Sequence, residues 1–224
     1  MISFFKVIYK KSRVKFLYDP PQIIKSVFDS FLWNTKNEEV LLTFDDGPNP
    51  GTTEKLLDLL KGRNIKALFF CLGENIERHP ELCRRIIEEG HTIGNHTYSH
   101  KKINTVSREV INAEIEKTNA ILKDKFNYDV KYFRPPHGRI TFSTKKLLQK
   151  HNLINVMWSL LTWDYKGSFN KVQKSIHNYL KNNSIIVLHD SDKTKLILQD
   201  SVNLIIEEAQ KRNLTIGDPI NCLK

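Results

Sequence analysis

The sequence of 224 residues has little cysteine and no long hydrophobic run. Its three cysteines, Cys71, Cys83 and Cys222, are an odd number and show no CxxC spacing. A disulfide framework needs paired cysteines at higher density, so the sequence does not fit that class of fold. We expect the three thiols to be reduced and buried.

Long apolar segments are also missing. No stretch approaches the roughly 20 apolar residues that a membrane-spanning helix needs. Lys6 interrupts the apolar residues near the N-terminus before they reach the length of a secretory signal. The simplest expectation is a cytoplasmic protein. In one alternative, this basic N-terminal segment contacts the inner membrane face through Phe4, Phe5 and Ile8. In the other, the same side chains pack on the domain.

The charge is strongly positive, but its distribution is diffuse. Lysine and arginine total 35 against 25 aspartates and glutamates, which gives a formal net charge of +10. Such a charge attracts nucleic acid, anionic lipid or an acidic polymer. The lysines are scattered over helix-like segments, without a basic stripe that carries interleaved aromatic residues. We therefore expect no specific nucleic-acid partner.

A regular alternation of strand-like and helix-like segments indicates one α/β domain. The hydrophobic content of 40% over 224 residues suffices for one large core. Behind a predicted capping helix at 22–33, apolar runs predict seven strands, at 40–44, 66–72, 91–93, 130–133, 153–158, 184–188 and 214–216. Helical patterns separate these strands, as in parallel βα units. We place the domain at 39–224, after an N-terminal segment at 1–38.

Polar clusters follow several of the predicted strands. The clusters read DDGP, GNHTYSH, RPPHG, TWDY and HD. In a parallel barrel the carboxyl ends of all strands lie on one face, where enzymes of this architecture carry their active sites. The sequence therefore predicts that these clusters meet in one pocket.

The first two clusters contain side chains suited to a metal ion. Asp45 and Asp46 lie where a buried strand enters a Gly-Pro turn, and both can point into one cavity there. His96 and His100 are four residues apart, so one helical turn would direct both imidazoles the same way. One aspartate with two histidines leaves positions open for water and substrate, as in catalytic metal sites. The alternatives are a solvated Asp-Gly turn and a histidine pair that caps a helix or packs in the core.

Two further residues carry charge or protons near the predicted pocket. Arg134 precedes two prolines and a glycine in a constrained loop, where its guanidinium could keep a carboxylate ionised and oriented. The alternative for Arg134 is a structural salt bridge. His189 directly follows the apolar run IIVL, and an imidazole suits proton donation near neutral pH. The alternative for His189 is a hydrogen-bonded packing role.

In this order and at these distances, TFDDGP, HTYSH, RPPHG, WDY and VLHD resemble the five motifs of the polysaccharide deacetylase family, carbohydrate esterase family four. The resemblance covers about residues 39–216. It implies a distorted (β/α)7 barrel similar to a TIM barrel, here with an extra N-terminal helix. It also implies metal-dependent hydrolysis of an N-acetyl or O-acetyl group on a sugar. Zinc is the expected ion, with cobalt and nickel as alternatives.

The resemblance also assigns roles to the metal ligands and the base. Asp46, His96 and His100 match the family's metal ligands. Asp45 matches the general base that takes a proton from the attacking water, and Arg134 matches the residue that holds this base. These assignments are consistent with the chemistry, because a Lewis-acidic ion makes attack by water feasible at neutral pH.

The remaining assignments concern the acid and the substrate groove. By resemblance, His189 is the general acid that protonates the leaving amine, and Asp164 matches the acid that tunes the pair formed by the arginine and this histidine. Leu188 matches the apolar wall of the acetyl pocket, and Tyr165 stands where the family has a groove tryptophan. The backbone amide of His137 matches the donor that stabilises the developing negative charge on oxygen.

Three positions depart from the family's pattern. His137 replaces a tyrosine, Leu161 replaces the first acid of the fourth motif, and Tyr165 replaces a tryptophan. All three concern the groove, so the resemblance does not identify the acetylated glycan, which could be peptidoglycan, a chitooligosaccharide or a precursor. Two other functions remain open, a catalytically silent carbohydrate-binding domain of the same fold and a relative that hydrolyses another amide.

Overall fold

The structure is a computed structural model that describes residues 18–224. Phe4, Phe5 and Ile8, for which membrane contact and packing on the domain were the alternatives, lie outside these residues. Within the described chain, seven strands form the centre of the domain: β1 Leu41–Asp45, β2 Leu68–Cys71, β3 Thr92–Asn95, β4 Tyr132–Phe133, β5 Ile154–Asn155, β6 Leu160–Leu161 and β7 Ile185–His189.

All of these strands pair in parallel in one sheet of order β5-β4-β3-β2-β1-β7-β6. β1 lies inside the sheet, where Asp45 is level with Phe70 of β2 and with His189 of β7. A parallel strand is covered on both faces, which explains why every residue of β1 is buried. β5 and β6 are the two ends of the sheet and do not pair with each other. The predicted α/β class and distorted seven-stranded barrel are confirmed.

Helices connect the strands and cover the sheet. They are α1 Gln22–Val27, α2 Thr53–Gly62, α3 Gly73–Arg78, α4 Pro80–Glu88, α5 Arg108–Phe126, α6 Thr144–Lys150, α7 Phe169–Tyr179, α8 Leu198–Lys211 and α9 Pro219–Cys222. The longest helix in residues 18–224, α5, begins after Ser107, whose side chain caps the helix by accepting a hydrogen bond from the Val110 N–H. No helix in residues 18–224 combines the length and apolarity needed to cross a bilayer.

The strand side chains divide into two layers. Leu42, Phe44 and Leu188 belong to the large core that also includes the helices, whereas Leu41 and Ile185 belong to a smaller cluster. Side chains alternate between the two faces of a strand. In β1 and in β7, the residues two and four positions after Leu41 and after Ile185 therefore lie on the same face as these two residues. Three pocket residues share these faces, namely Asp45, Val187 and His189.

One predicted strand is wrong and one strand was missed. Residues 214–216 do not form a strand, and only Ile216 makes a single parallel bridge, to Val40. The seventh strand is instead β6, whose two residues pair with Ile186 and Val187 of β7. A two-residue strand is too short to leave a periodic pattern in the sequence.

The predicted helix at 22–33 is shorter than expected and buries a different face. α1 ends at Val27, and Ile23 and Val27 are 71% and 52% exposed. The buried residue of α1 is Lys25, whose Nζ lies 2.6 Å from Asp19 Oδ1. An ion pair with a residue outside the helix therefore determines the buried face of α1, and hydrophobic spacing alone predicted it wrongly.

Candidate active site

The polar clusters meet at the carboxyl edge of the sheet, around an open pocket of about 470 Å³. Side chains reach this pocket from β1, from β6 and β7, and from the loops that follow β3 and β4. Its reactive groups are Asp45, Asp46, His96, His100 and His189. The prediction that these separate stretches of sequence share one pocket is confirmed.

Asp46, His96 and His100 form a group that could hold a metal ion. One side-chain donor atom from each residue lies within 4.8 Å of the other two. Asp46 Oδ1 is 3.3 Å from His100 Nε2 and 3.7 Å from His96 Nε2. This oxygen is buried and has no hydrogen-bond partner among the described residues. A buried oxygen without a partner, facing two imidazole nitrogens, fits a divalent cation bound by nitrogen and oxygen ligands.

His96 is oriented for ligation by its second ring nitrogen. Its Nδ1 lies 2.7 Å from the carbonyl oxygen of Arg134, so this nitrogen carries the proton and Nε2 is free to bind. Burial lowers the pKa of His96 to about 4, so the ring is neutral at neutral pH. Metal ligands need the neutral imidazole, so both the tautomer and the charge of His96 are suitable.

The loop that carries the two histidines is not the helical turn that the spacing predicts. β3 ends at Asn95, and residues 96–100 contain no helix. Thr97 and His100 instead have positive φ angles of 69° and 59°, and the Thr97 N–H donates to Asn95 Oδ1 at 2.7 Å. A tight, non-helical turn therefore brings His96 and His100 to the same point, with ring centroids 5.2 Å apart.

Asp45 is not one of the three residues of the metal-binding group and instead forms a buried ion pair with Arg134. Arg134 Nη1 donates to Asp45 Oδ1 at 2.8 Å, and the Arg134 side chain is fully buried. Burial alone would raise the pKa of Asp45, but the positive charge of Arg134, with a smaller contribution from protonated His189, lowers it below its usual value. Asp45 is therefore a carboxylate at neutral pH, with Oδ1 occupied by Arg134.

Arg134 is itself held on every side. Its Nε donates to the Val156 carbonyl at 2.9 Å and its Nη2 to the Met157 carbonyl at 2.7 Å. Nη1 also donates to Thr43 Oγ1 at 2.6 Å, and the guanidinium lies 4.2 Å from the ring centroid of Phe70. These contacts satisfy the buried charge and fix its direction, so Arg134 positions Asp45 and has no freedom to reach substrate.

A second charged pair, His189 with Asp164, lies at the end of β7. His189 Nδ1 is 2.8 Å from Asp164 Oδ1, and Asp164 is fully buried. Asp164 Oδ2 also accepts the backbone N–H of His189 at 2.6 Å. Burial alone would lower the pKa of His189, but the charge and hydrogen bond of Asp164 raise it to about 9. His189 is therefore protonated at neutral pH, and its Nε2 is the nitrogen left free of Asp164.

The predicted groove residues divide into two that reach the pocket and one that does not. Tyr165 lines the pocket with its ring 5.2 Å from that of His189, and His137 lines it with its ring 4.5 Å from that of His100. Leu188 is wrong as a wall residue, because it belongs to the core that packs against the helices. Its neighbour Val187 lines the pocket instead, as does Leu161.

Trp158 and Gly138 are pocket residues that the sequence reasoning missed. Both line the pocket, and Gly138 has a φ angle of 62°. A Cβ built on Gly138 would lie 2.1 Å from the Trp158 ring, so this position must be glycine for the two loops to meet. The glycine at the end of RPPHG could have indicated that another part of the chain packs closely against this position. It could not have identified Trp158 as the residue that does so.

Asp190 was also missed, although it directly follows His189. Its side chain is fully buried and accepts hydrogen bonds from the hydroxyls of Thr52 and Thr53. The Asp190 N–H donates to the Asp45 carbonyl at 2.8 Å. Asp190 thus ties the end of β7 to the segment that follows β1 and leads into α2. Burial raises the pKa of Asp190 to about 7.

Comparison with known proteins identifies relatives of this chain. A sequence model of the polysaccharide deacetylase family matches residues 33–156, more than half of the chain. The peptidoglycan-N-acetylglucosamine deacetylase of Bacillus cereus is 47% identical over 129 residues, which cover 58% of this chain and 47% of that protein. Chitin deacetylase 2 of Saccharomyces cerevisiae is 38% identical over 177 residues, which cover 79% of this chain and 54% of that protein. The chain thus spans about half the length of these relatives.

A solved structure agrees with the sequence match. The crystal structure of the Bc1960 peptidoglycan N-acetylglucosamine deacetylase, in complex with 4-naphthalen-1-yl-N-oxidanyl-benzamide, superposes with a TM-score of 0.82 and 34% identity. The match covers 89% of this chain and 95% of that one, so it includes nearly the whole barrel. On these grounds the chain is a member of the polysaccharide deacetylase family.

Proposed function

We propose that the protein is a metal-dependent hydrolase that removes acetyl groups from an N-acetylated glycan and releases acetate. One observation carries the proposal. The donor atoms of Asp46, His96 and His100 converge within 4.8 Å, in the same pocket as a carboxylate, Asp45, that is paired with a buried arginine. The relatives include a peptidoglycan-N-acetylglucosamine deacetylase and a chitin deacetylase, which supports the substrate class.

A divalent cation, zinc before cobalt or nickel, would be held by Asp46, His96 and His100. The unpartnered oxygen of Asp46 and the fixed tautomer of His96 fit such an ion. When bound, the ion supplies a Lewis acid that polarises the acetyl carbonyl and lowers the pKa of water.

Asp45 is the general base in this proposal. Arg134 holds Oδ1, which leaves Oδ2 to take a proton from the water that attacks the acetyl carbon. The lowered pKa keeps Asp45 ionised at neutral pH, so it can accept that proton without first losing one. Arg134 contributes by orientation and charge only.

His189 is the general acid. The amide nitrogen is a poor leaving group until it is protonated, so cleavage of the carbon–nitrogen bond needs a donor on the nitrogen side. His189 carries a proton at neutral pH because Asp164 raises its pKa to about 9. Its Nε2 gives this proton to the nitrogen as the bond breaks, and the products are acetate and a free amine on the sugar.

The apolar wall of the pocket accounts for recognition of the acetyl group. Val187 and Leu161 come from adjacent, paired positions of β7 and β6, and both line the pocket. Leu161 replaces the first acid of the family's fourth motif, so this wall presents methyl groups at that place. A small apolar surface next to His189 suits an acetyl methyl group.

Acetate release tests the proposal. Metal-free protein is prepared with a chelator and incubated with N-acetylated chitotetraose and with peptidoglycan, with and without added zinc. We expect acetate and free amine in equal amounts, and only when the metal is present. An O-acetylated xylan measured in parallel distinguishes amide from ester hydrolysis. Binding of the glycans without release of acetate under any condition would contradict the proposal and favour a silent carbohydrate-binding domain.

A further inference from the structure

The rim of the pocket carries three cationic side chains that the proposed chemistry does not use. Arg139, Lys166 and Lys193 line the pocket together with the reactive groups. Arg139 follows β4, Lys166 follows β6 and Lys193 follows β7. β4 and β6 lie towards opposite ends of the sheet, with β1 between them. The cations therefore come from both sides of the strand that carries Asp45.

These charges have no acidic partners in the described part of the chain. All three side chains are exposed, and none forms an ion pair with an acid in residues 18–224. Among the described residues, the acids that line the pocket are Asp45 and Asp46 alone. Arg134 neutralises Asp45, and Asp46 belongs to the metal-binding group. The mouth of the pocket is therefore positive.

Two of the cations lie on closely packed backbone next to the acid–base machinery. Lys166 Nζ is 5.3 Å from the ring centroid of Tyr165, the residue whose ring contacts His189. Gly167, with a φ angle of 64°, follows Lys166, and a Cβ built on it would lie 3.3 Å from the Lys193 carbonyl oxygen. The loops after β6 and β7 therefore touch at this point, which keeps Lys166 and Lys193 together at one side of the mouth.

We propose that this cationic rim, defined as Arg139, Lys166 and Lys193, binds an anionic substituent on the sugars that flank the acetylated residue. A neutral N-acetyl glycan offers these charges nothing to pair with, whereas a carboxylate or a phosphate pairs with an ammonium or guanidinium group. Unpaired charges of one sign around a cleft also raise the local concentration of a substrate of opposite charge. This inference rests on the proposed function, because it concerns substrates of the same pocket.

Two sources of the anion share this chemistry. The first is the lactyl carboxylate of muramic acid in a peptidoglycan strand whose stem peptides have been removed. The second is a phosphate ester on an amino-sugar chain. Both place a negative charge within one or two sugars of an N-acetyl group, so the position of the rim fits either, and the substrates of the test distinguish them.

The test compares two triple variants of equal charge. The rim variant carries Arg139→Gln, Lys166→Gln and Lys193→Gln. The control variant carries Lys61→Gln, Lys146→Gln and Lys174→Gln, three exposed lysines that do not line the pocket. Both variants lose three positive charges from the net +10. A difference in activity between them therefore comes from the position of the charges and not from the total charge.

Four substrates separate the charge of the glycan from its shape. They are peptide-free peptidoglycan strands, the same strands with carboxylates converted to neutral methylamides, chitotetraose, and chitotetraose 1-phosphate. We expect the rim variant to lose roughly tenfold in kcat/KM on an anionic substrate, through KM and with kcat unchanged, while chitotetraose changes by less than about twofold. We expect methylamidation to lower kcat/KM of the wild type to the level of the rim variant. High salt should remove the same difference, since exposed charges are screened.

The outcomes assign the anion or overturn the inference. A selective loss on the carboxylated strands identifies the carboxylate, and a selective loss on the 1-phosphate identifies the phosphate. Equal losses in the rim and control variants, or no loss on either anionic substrate, would overturn the inference. Binding of the end-labelled glycans, followed by fluorescence anisotropy, repeats the comparison without turnover. If no substrate releases acetate, the proposed function fails while the binding data still decide the role of the rim.

Discussion

Arg134 Nη1 donates a hydrogen bond to Asp45 Oδ1 at 2.8 Å, with the arginine side chain fully buried and the aspartate nearly so. Removing one partner of a buried ion pair destabilises the fold, because the remaining charge is left unpaired in a medium of low dielectric constant. In this protein the pair joins two functions. It fixes the direction of Asp45, the proposed base, and it keeps that carboxylate ionised.

Removal of Arg134 should therefore destabilise the fold through Asp45. We expect Arg134→Met to lower the free energy of unfolding by roughly 3–5 kcal/mol, since it leaves a buried carboxylate unpaired. The double variant Asp45→Asn/Arg134→Met should be more stable than Arg134→Met alone, because a neutral amide is easier to bury. Urea unfolding at pH 7 measures all of these proteins. If the loss of unfolding free energy in the double variant equals the sum of the losses in the two single variants, the two side chains do not depend on each other.

The His189–Asp164 pair predicts the alkaline limb of the pH–rate profile. The pKa of His189, the proposed acid, is raised to about 9, so its imidazole is protonated throughout the neutral range and loses the proton only around and above that pH. We expect kcat/KM for acetate release to fall above pH 9. Asp164→Asn removes the charge that raises this pKa, so the limb should move towards lower pH. Asp192→Asn, at an exposed acid outside the pocket, is the control. An unmoved limb in Asp164→Asn would assign the titration to another group.

Asp190 predicts a pH dependence of stability that is independent of catalysis. Its pKa is raised from 3.8 to about 7 by burial, so the folded protein binds this proton more tightly than the unfolded chain. This contribution to stability is present at low pH and is lost as the pH rises from about 4 through about 7.

Asp190→Asn should remove this dependence, since an amide does not titrate and still offers an acceptor to Thr52 or Thr53. We expect the change in unfolding free energy between pH 5 and pH 8 to differ between wild type and variant by on the order of 2–3 kcal/mol. Urea unfolding at both pH values measures the difference. An equal change in unfolding free energy between the two pH values in wild type and variant would show that Asp190 keeps its charge when folded.

Adjacent residues of β7 should respond differently to truncation. Leu188 is buried in the core against the helices, so Leu188→Ala should cost about 2–5 kcal/mol of stability and leave KM of the folded enzyme unchanged. Val187 lines the pocket, so Val187→Ala should instead lower kcat/KM for acetate release. Unfolding and steady-state kinetics on both variants decide the matter. A larger kinetic effect from Leu188→Ala would restore the wall role that the sequence assigned to it.

Much of the site follows from the sequence because its motifs lie at strand ends. Once parallel strands are inferred, DDGP, HTYSH and HD must share one edge of the sheet, and the structure brings Asp46, His96 and His100 within 4.8 Å there. Alternation counted from His189 would also have placed Val187 in the pocket and Leu188 in the core. That error came from matching motif positions without counting strand faces.

The remaining differences come from interactions that a local pattern does not contain. The turn from His96 to His100 depends on positive φ angles at Thr97 and His100. The identities of these two residues do not predict that backbone conformation. The two residues of β6 form a strand only because β7 is beside them. The buried face of α1 depends on the ion pair between Lys25 and Asp19. In each case a tertiary contact overrides the local preference.

Two neighbouring aspartates, changed one at a time, test the central claim most directly. Asp45→Asn and Asp46→Asn are equal chemical changes at adjacent positions, and zinc content by mass spectrometry together with acetate release is measured for both. We predict that Asp45→Asn retains zinc near the wild-type level while turnover falls by roughly 10²–10⁴, the loss expected for a general base. Asp46→Asn should lose zinc and activity together. Retention of zinc by Asp46→Asn, or turnover near the wild-type rate in Asp45→Asn, would contradict the account.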